Sequence, residues 1–348
     1  MRIEPDLDRA RLIDLLRDRY LLEASRLTFV PSGIDSWSYV ATCRGGSQAF
    51  VKLSRKATST RSDLRLLAAL AAMNVAVPRP FVDRDGGLVN PFDGYDVQVL
   101  EYLDGHDLEA ETAWPDVLYA PVADLVAAIH ESTGAVRQLV DRHESYELPF
   151  LPRFIATLAA VEDHDDLPAG ADPTLAALRE TLGPRSPEVR AALDRLETLR
   201  DLAAARDSDW VLCHADIWGS NLLRSGDGTL HLLDWSGALL GPREADLFMF
   251  AGTDFFPAER FSWFLDRYET VCGRVRLDAG TLGFYFHRRT LEDLASFVGW
   301  IAEGNREAMA PDAMLRVVAD NLAELPRLEG RIGEVSRVLS EARRRSSG

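Results

Sequence analysis

The chain is poor in lysine. Only two of its 39 basic residues are lysines, Lys52 and Lys56, within a length of 348 residues. Arginine carries a planar fork of donors, whereas lysine carries a compact point charge on a flexible stem. Each of the two lysines is therefore a candidate for a site that accommodates a compact ammonium group but not a planar guanidinium.

Cysteine and long apolar runs are also scarce. The three cysteines, Cys43, Cys213 and Cys272, have no paired spacing, which is typical of a reducing, cytoplasmic setting and argues against a structural zinc site. No run of 18 apolar residues occurs, so we expect no membrane-spanning helix and no membrane partner. The acidic N-terminal segment lacks an apolar stretch, so we expect no secretory signal.

Acidic residues outnumber basic ones, and the formal net charge is −16 at pH 7. Because the phosphate backbone of a nucleic acid binds to a basic protein surface, we expect no nucleic-acid partner. A negative surface favours cationic ligands, but the same charge also serves solubility. The sequence leaves both explanations open, and it is compatible with a monomer or a homodimer.

Hydrophobic periodicity changes along the chain. Before residue 104 it predicts helices at 5–23 and 62–73 and strands at 27–30, 37–43, 48–53 and 95–102. From residue 108 it predicts mainly helices, at 120–130, 151–161, 187–205, 258–271, 279–303 and 312–344. The segment 210–233 interrupts them with short strands around a glycine turn. The prediction is an α+β chain with a small antiparallel sheet followed by a mainly helical region.

The segment 210–247 carries three oxygen-bearing side chains at intervals that indicate a shared site. Asp216 is followed after five residues by Asn221 and after thirteen more by Asp234, at the end of a short apolar run. A carboxylate on a tight loop orients and deprotonates a hydroxyl, and an amide with a second carboxylate suits magnesium held against phosphates. Alone, each has a local explanation as a turn residue or a helix cap. Together they predict phosphoryl transfer, which depends on positioning and charge neutralisation.

The sheet region supplies candidates for nucleotide binding. Lys52 lies in the predicted strand 48–53 and either points to solvent or reaches inward to phosphates; the shortage of lysine favours the second. Ser32 lies in a loop between two strands, where a loop would cover phosphates. Glu101 and Leu103 end the strand 95–102, and their backbone groups are predicted to bond adenine.

Two further residues of the segment are interpreted as structural. His214 has no second His or Cys at metal spacing, so we expect it to brace the loop by a hydrogen bond. Asp246, in GPREADL, is expected to cap the following helix or to fix the loop.

The motifs HADIWGSN, LLDW and GPREADL resemble those of the aminoglycoside phosphotransferase and choline-kinase-like family. Ala215, between His214 and Asp216, and the stretch HRRTLED at 287–293 are similar to the spectinomycin phosphotransferase branch. The resemblance covers nearly the whole chain. It implies a two-lobed protein-kinase-like α+β fold, with an antiparallel-sheet N-lobe at 1–103, a helical C-lobe at 104–348 and a nucleotide site between them.

The resemblance also implies roles for individual residues. Asp216 matches the catalytic base, Asn221 and Asp234 match the magnesium ligands, and Lys52 matches the phosphate-binding lysine. The implied activity is that of a cytoplasmic kinase that uses Mg²⁺ and ATP or GTP to phosphorylate a hydroxyl of an aminoglycoside or aminocyclitol antibiotic and so confers resistance. A kinase of another hydroxylated natural product or metabolite, such as a nucleoside antibiotic, choline, homoserine or thiamine, remains open, as does a catalytically dead kinase-like binding module.

The chain departs from the family pattern at two places. The family pairs its strand lysine with a Glu of the next helix, but the only acid between residues 53 and 75 is Asp63, so the partner of Lys52 is Asp63 or none. Ser236 and Gly237 stand where the spectinomycin branch carries acidic residues, which leaves the acceptor open. Candidate contacts for a small, cationic acceptor lie in the helical lobe: Asp254, Glu292 and Glu303 for ammonium groups and Trp300 for a sugar ring.

Overall fold

The computed structural model describes residues 4–31, 36–55, 60–109, 116–162, 172–252, 256–305 and 309–345. The strands in these ranges are β1 (Ala24–Val30), β2 (Ser36–Cys43), β3 (Gln48–Arg55), β4 (Asn90–Phe92), β5 (Tyr95–Glu101), β6 (Gly105–Asp107), β7 (Trp210–Cys213), β8 (Leu222–Ser225), β9 (Leu230–Leu232) and β10 (Leu239–Pro242). The helices are α1 (Arg9–Tyr20), α2 (Thr60–Ala72), α3 (Asp116–Glu131), α4 (Thr133–Val136), α5 (Leu151–Glu162), α6 (Pro173–Leu182), α7 (Ser186–Ala204), α8 (Glu244–Leu247), α9 (Ala258–Cys272), α10 (Ala279–Ala302), α11 (Pro311–Glu324) and α12 (Leu328–Arg345). Within the described ranges, no helix has both the length and the hydrophobicity needed to cross a membrane.

The predicted α+β fold class is confirmed. By their internal contacts the residues group into two compact units. Unit 1 comprises 1–144, 210–246 and 264–274, and unit 2 comprises 145–209, 247–263 and 275–348. The strands belong to unit 1, together with α1 to α4, so the candidate catalytic segment shares a unit with the sheet.

Unit 1 is built around a five-stranded antiparallel sheet of order β1-β2-β3-β5-β4. The helix α1 covers it with Leu12, Leu16 and Tyr20, which are buried and spaced by four residues, so that they share one face. The side chain of Asp8 caps α1 by accepting hydrogen bonds from two backbone N–H groups of its first turn. One hydrophobic core of unit 1 thus lies between α1 and the sheet.

The hairpin between β2 and β3 positions Lys52. Gly45 and Gly46 take φ values of 93° and 90°, a region that favours glycine, as the predicted turn requires. Along β3, Ala49, Val51 and Leu53 are buried, and Lys52 lies on the opposite face of the strand because side chains alternate.

The helix α2 follows β3, and its main packing partners are segments of unit 1 outside the sheet. It contacts residues 133–139 and the short 3₁₀ turn Trp235–Gly237. Two small antiparallel ladders complete this part of unit 1, one pairing β7 with β10 and one of order β6-β8-β9. These ladders hold the loops that carry Asp216 and Asp234.

Unit 2 is helical, and α10 packs against α7, α11 and α12. The prediction of one helix over 312–344 is wrong, because the structure has α11 and α12 with the 3₁₀ turn Leu325–Arg327 between them. Pro326 lies inside that turn. Proline has no N–H to donate to the preceding helical turn, which explains the break.

Candidate active site

The loop after β7 is held by a single buried carboxylate. Asp246 Oδ2 accepts from the backbone N–H of His214 at 3.0 Å, and its Oδ1 accepts from that of Ala215 at 2.6 Å. Ala215 has a φ of 67°, a left-handed conformation that is uncommon for a residue with a Cβ. The expectation that Asp246 fixes the loop is confirmed, and the two bonds stabilise a backbone turn that presents Asp216.

Asp246 is itself held by a chain of side chains, of which Arg243 is partly buried and Tyr268 and His130 are buried. Arg243 Nη1 donates to the hydroxyl of Tyr268, the hydroxyl lies 2.6 Å from Nδ1 of His130, and Nε2 of His130 lies 3.0 Å from Oδ2 of Asp246. Burial lowers the pKa of His130, which favours its neutral ring. In a neutral ring one nitrogen donates and the other accepts, so a proton on Nε2, which faces Asp246, leaves Nδ1 to accept from Tyr268.

The same region contains the group of described residues whose side chains are close enough to share a metal ion, His130, Cys213 and Asp246. Their atoms are otherwise engaged. The Cys213 thiol lies 3.4 Å from the Pro242 carbonyl oxygen, and burial raises its pKa well above the ordinary value. The three side chains are thus joined to the protein by hydrogen bonds and form a polar core behind the loop.

Asn221 contacts Asp216 directly. It ends the 3₁₀ turn Gly219–Asn221, and its Nδ2 donates to the backbone oxygen and to Oδ2 of Asp216, both at 2.9 Å. The turn is tight, since a Cβ at Gly219 would lie 2.9 Å from the Leu108 carbonyl oxygen. The amide therefore orients the Asp216 carboxylate and keeps its own oxygen, Oδ1, for another partner.

Asp234 lies two residues after the end of β9, in a left-handed backbone conformation with a φ of 51°. It occupies the capping position of the turn Trp235–Gly237, yet its side chain makes no capping hydrogen bond. Its Oδ1 instead accepts from Nζ of Lys52 at 3.0 Å. Burial acts to raise the pKa of Asp234, but the charge and hydrogen bond of Lys52 outweigh it and hold the pKa below the ordinary value.

The loops of Asp216 and Asp234 are joined by their backbones and by His214. Leu233 N–H donates to the carbonyl of Asn221 at 2.8 Å, and Nε2 of His214 lies 2.8 Å from the Leu233 carbonyl oxygen. The His214 ring also packs edge-on against Trp235, with 4.9 Å between ring centroids. His214 is thus the brace that the sequence predicts, and the three oxygen-bearing side chains are carried by one connected framework.

This framework suits a magnesium ion. The amide nitrogen of Asn221 is engaged with Asp216, which turns the amide oxygen toward a different partner, and Asp234 is kept ionised by Lys52. Mg²⁺ prefers such oxygen ligands and usually takes one or two from the protein, completing its shell with water and phosphate. Asn221 and Asp234 therefore fit the ion.

The acidic partner of Lys52 in the structure is Asp234, and the expectation of Asp63 or none is not met. Among the described residues its ion pair is with Asp234, whereas Asp63 Oδ1 accepts from Nη2 of Arg142 at 2.8 Å. Burial raises the pKa of Asp63 to about 6, against the attraction of Arg142. Sequence reasoning missed Arg142, because it lies in a segment without periodicity or motif. It also missed His130 and Tyr268, whose only signal is that they end or lie within predicted helices.

Glu101 ends β5, at the place where the sequence predicts adenine binding. Its N–H donates to the Arg79 carbonyl at 2.8 Å and is therefore engaged within the protein. Within the described ranges, the N–H of Leu103 has no backbone acceptor. Ser32 lies outside the described residues.

Comparison with known proteins identifies the family of the chain. A sequence profile of the phosphotransferase enzyme family, APH, matches residues 26–278. The chain belongs to this family. It is a phosphotransferase that acts on the hydroxyl group of a small molecule. A comparison with curated protein sequences finds no match.

Solved structures confirm the two-lobed protein-kinase-like fold of this phosphotransferase. Spectinomycin phosphotransferase APH(9)-Ia in complex with ADP and spectinomycin has a TM-score of 0.77 at 18% identity, covering 93% of this chain and 99% of that one. Amicoumacin kinase hAmiN, in complex with AMP-PNP, Ca²⁺ and Ami, has a TM-score of 0.62 at 16% identity, covering 92% and 93%. Choline kinase LicA from Streptococcus pneumoniae has 0.59 at 16% identity, covering 91% and 98%.

Three acceptor candidates of the phosphotransferase, Glu292, Trp300 and Glu303, lie in unit 2, and both of these carboxylates have arginine partners. Glu292 lies 3.6 Å from Arg288 one turn earlier on α10, and Glu303 is ion-paired with Arg153. Trp300 packs against the Phe297 ring with 5.0 Å between centroids. Asp254 lies outside the described residues.

Proposed function

We propose that the chain transfers the γ-phosphoryl group of ATP or GTP to a hydroxyl of an aminoglycoside or aminocyclitol antibiotic similar to spectinomycin. Inactivation of the drug in the cytoplasm would then confer resistance. The observation that carries the proposal is the arrangement of Asp216, Asn221 and the Lys52–Asp234 pair on one framework.

Asp216 accepts the proton of the acceptor hydroxyl. The amide of Asn221 holds one of its carboxylate oxygens, and the Asp246 anchor holds the backbone on which it stands. A carboxylate fixed in this way keeps the hydroxyl oxygen in line with the γ-phosphorus, and such positioning supplies a large part of the rate of phosphoryl transfer.

The other residues bind the nucleotide. Asn221 and Asp234 would hold Mg²⁺, which when bound neutralises charge on the phosphates. Lys52 binds phosphate oxygens as a point charge, exchanging part of its contact with Asp234 for them. The carbonyl of Glu101 accepts from the adenine amino group and the N–H of Leu103 donates to a ring nitrogen, and the sequence adds Ser32 as a candidate for phosphate binding.

The choice of acceptor has separate support. The likeness to a phosphotransferase bound to spectinomycin spans nearly the whole of both chains. The net charge of −16 favours a cationic acceptor, with Asp254, Glu292 and Glu303 as candidate contacts and Trp300 as a wall. The departure at Ser236 and Gly237, together with the likeness to an amicoumacin kinase, favours a kinase of another hydroxylated natural product as the second candidate.

The test is turnover against a panel of acceptors. The protein is incubated with Mg²⁺ and ATP or GTP plus spectinomycin, aminoglycosides, amicoumacin-type and nucleoside antibiotics, choline, homoserine or thiamine. Diphosphate release and the ³¹P spectrum of the product are then followed. We expect release that depends on an aminocyclitol and falls by about 10²–10⁴-fold in Asp216→Asn. Asp209→Asn, an exposed carboxylate before β7, is the matched control and keeps full activity.

Each result separates the candidates. Turnover with a different acceptor supports the second candidate, and expression in a susceptible bacterium then measures resistance directly. Nucleotide binding without turnover across the panel indicates a catalytically dead binding module. Absence of nucleotide binding by the folded protein would contradict the proposal as a whole.

A further inference from the structure

Arg142 connects three parts of unit 1 through one side chain and its own backbone. Its Nη2 donates to Oδ1 of Asp63 on α2 at 2.8 Å, and its Nε donates to the carbonyl of Ala238 at 3.1 Å. Its carbonyl oxygen accepts from the N–H of Leu240 at 2.9 Å. The planar guanidinium thus bonds a helix and a loop at once through two different nitrogens in a fixed geometry.

The two residues that Arg142 bonds belong to the segments that follow Asp234 and Lys52 in the chain. Ala238 ends the turn that begins directly after Asp234, and its N–H donates to the Trp235 carbonyl at 3.2 Å. Asp63 lies in the first turn of α2, the next described element after β3, which carries Lys52. The bonds from Arg142 to Asp63 and Ala238 therefore join the helix after β3 to the turn after Asp234, as the bond between Lys52 and Asp234 joins β3 to the start of that turn.

We propose that Arg142 is a positioning residue for the nucleotide: through Asp63 and Ala238 it holds α2 and the turn after Asp234 in the register that brings Lys52 and Asp234 together. The inference rests on the proposed function, because it assigns Lys52 and Asp234 to phosphate and magnesium. In addition, Arg142 contacts neither phosphate nor magnesium and acts by positioning Lys52 and Asp234.

The charge environment of Asp63 supports a role in the site and not in folding. Asp63 is 18% exposed, and Arg142, Asp141, Lys52 and Asp234 are the charged groups that act on it. Burial raises the pKa of Asp63, so holding it ionised against Arg142 opposes folding at neutral pH. An ionised side chain that lowers stability and yet bridges two site-bearing segments is expected where function requires the bridge.

The experiment compares nucleotide binding with folding in the whole protein. Mg·ADP affinity is measured by calorimetry, and the nucleotide KM and kcat are measured with the acceptor that turns over, for Arg142→Gln, Arg142→Lys, Asp63→Asn and the double variant Arg142→Gln/Asp63→Asn. Arg267→Gln is the matched control, since Arg267 makes a two-bond pair with Asp124 at 2.7 Å on the exposed faces of α9 and α3.

We expect Arg142→Gln and Asp63→Asn each to weaken Mg·ADP binding by about tenfold, the size of effect that loss of a supporting contact has at metal sites. Asp63→Asn is expected to weaken Mg·ADP binding without lowering Tm. The double variant is expected to bind Mg·ADP as tightly as either single variant. Arg142→Lys is expected to recover part of the Mg·ADP affinity that Arg142→Gln loses. Unchanged affinity in both single variants would overturn the inference. So would a loss of affinity in proportion to a loss of Tm. A wild-type protein that binds no nucleotide contradicts the proposed function instead, so the two failures are distinguishable.

Discussion

Nζ of Lys52 donates to Oδ1 of Asp234 over 3.0 Å, and this bond joins residues 182 positions apart in the sequence. The pair is accessible, with 20% of the lysine side chain and 44% of the aspartate side chain exposed. Exposed ion pairs contribute little to stability, at most about 1 kcal/mol. Its value to the protein is therefore the placement of a cation and a carboxylate side by side, where phosphate and magnesium would be bound together.

The first prediction concerns Lys52. Lys52→Met removes the cation that is proposed to bind phosphates, and we expect kcat/KM for the nucleotide to fall by roughly 100-fold, equivalent to about 3 kcal/mol of transition-state stabilisation. Steady-state kinetics with varied ATP or GTP measures it. Arg44→Met removes an exposed cation from the turn between β2 and β3 and is expected to leave the kinetics unchanged. Equal kinetics in the two variants would exclude a role for Lys52 in binding phosphates.

The second prediction concerns the metal. Asn221→Ala removes a proposed ligand and the amide that bonds Asp216. We expect the Mg²⁺ concentration for half-maximal activity to rise by roughly 10–100-fold and kcat to fall as well. A magnesium titration at saturating nucleotide checks this. Asn321→Ala, whose amide bonds the Val317 carbonyl within α11, is the control. A fall in kcat with an unchanged magnesium requirement would leave Asn221 as an orienting group alone.

The third prediction concerns the buried chain behind the catalytic loop. Tyr268→Phe leaves Nδ1 of His130 without a donor and removes the acceptor of Arg243. Unpaired buried polar groups cost about 1–3 kcal/mol each, so we expect the free energy of unfolding to fall by that order. Urea denaturation measures it. Tyr20→Phe removes a longer bond of 3.3 Å to the Val97 carbonyl and should cost about 1 kcal/mol or less. A smaller loss for Tyr268→Phe than for Tyr20→Phe would contradict the proposed bonding order.

The fourth prediction concerns Asp63 and pH. Burial raises its pKa from the ordinary 3.8 to about 6, so between these values the folded chain binds more protons than the unfolded one. The stability that this group contributes is therefore present below about pH 4 and is lost as pH rises through 6. Asp63→Asn cannot ionise, and we expect it to raise the free energy of unfolding at pH 7.5 by about 1–3 kcal/mol and by little at pH 4.

Urea denaturation at the two pH values measures this difference. Asp124→Asn, which removes a carboxylate from an exposed ion pair with Arg267, is the control and is expected to change stability by no more than about 1 kcal/mol at either pH. A loss of stability in Asp63→Asn at pH 7.5 would show that its ionised form supports folding.

Periodicity identified most of the elements because it is a local property. The strands β2, β3 and β5 and the helices α7 and α10 lie within a few residues of their predicted bounds. The predicted helix over 312–344 fails at Pro326, where an apolar pattern continues across a residue that cannot extend the hydrogen bonding. Short pieces such as β6 and β10 carry too few residues to show a period, and their pairing depends on distant partners.

The sequence by itself determined the type of chemistry, because the residues that perform it come in motifs: Asp216, Asn221 and Asp234 within nineteen positions, and a rare lysine in a strand. Only the tertiary structure decided which charges meet. Lys52 bonds Asp234, and Asp63 bonds Arg142. Asp246 accepts from the backbone N–H of Ala215, about thirty residues earlier in the chain. Contacts between loops far apart in the chain have no period and no fixed spacing, so they emerge only when packing brings the segments together.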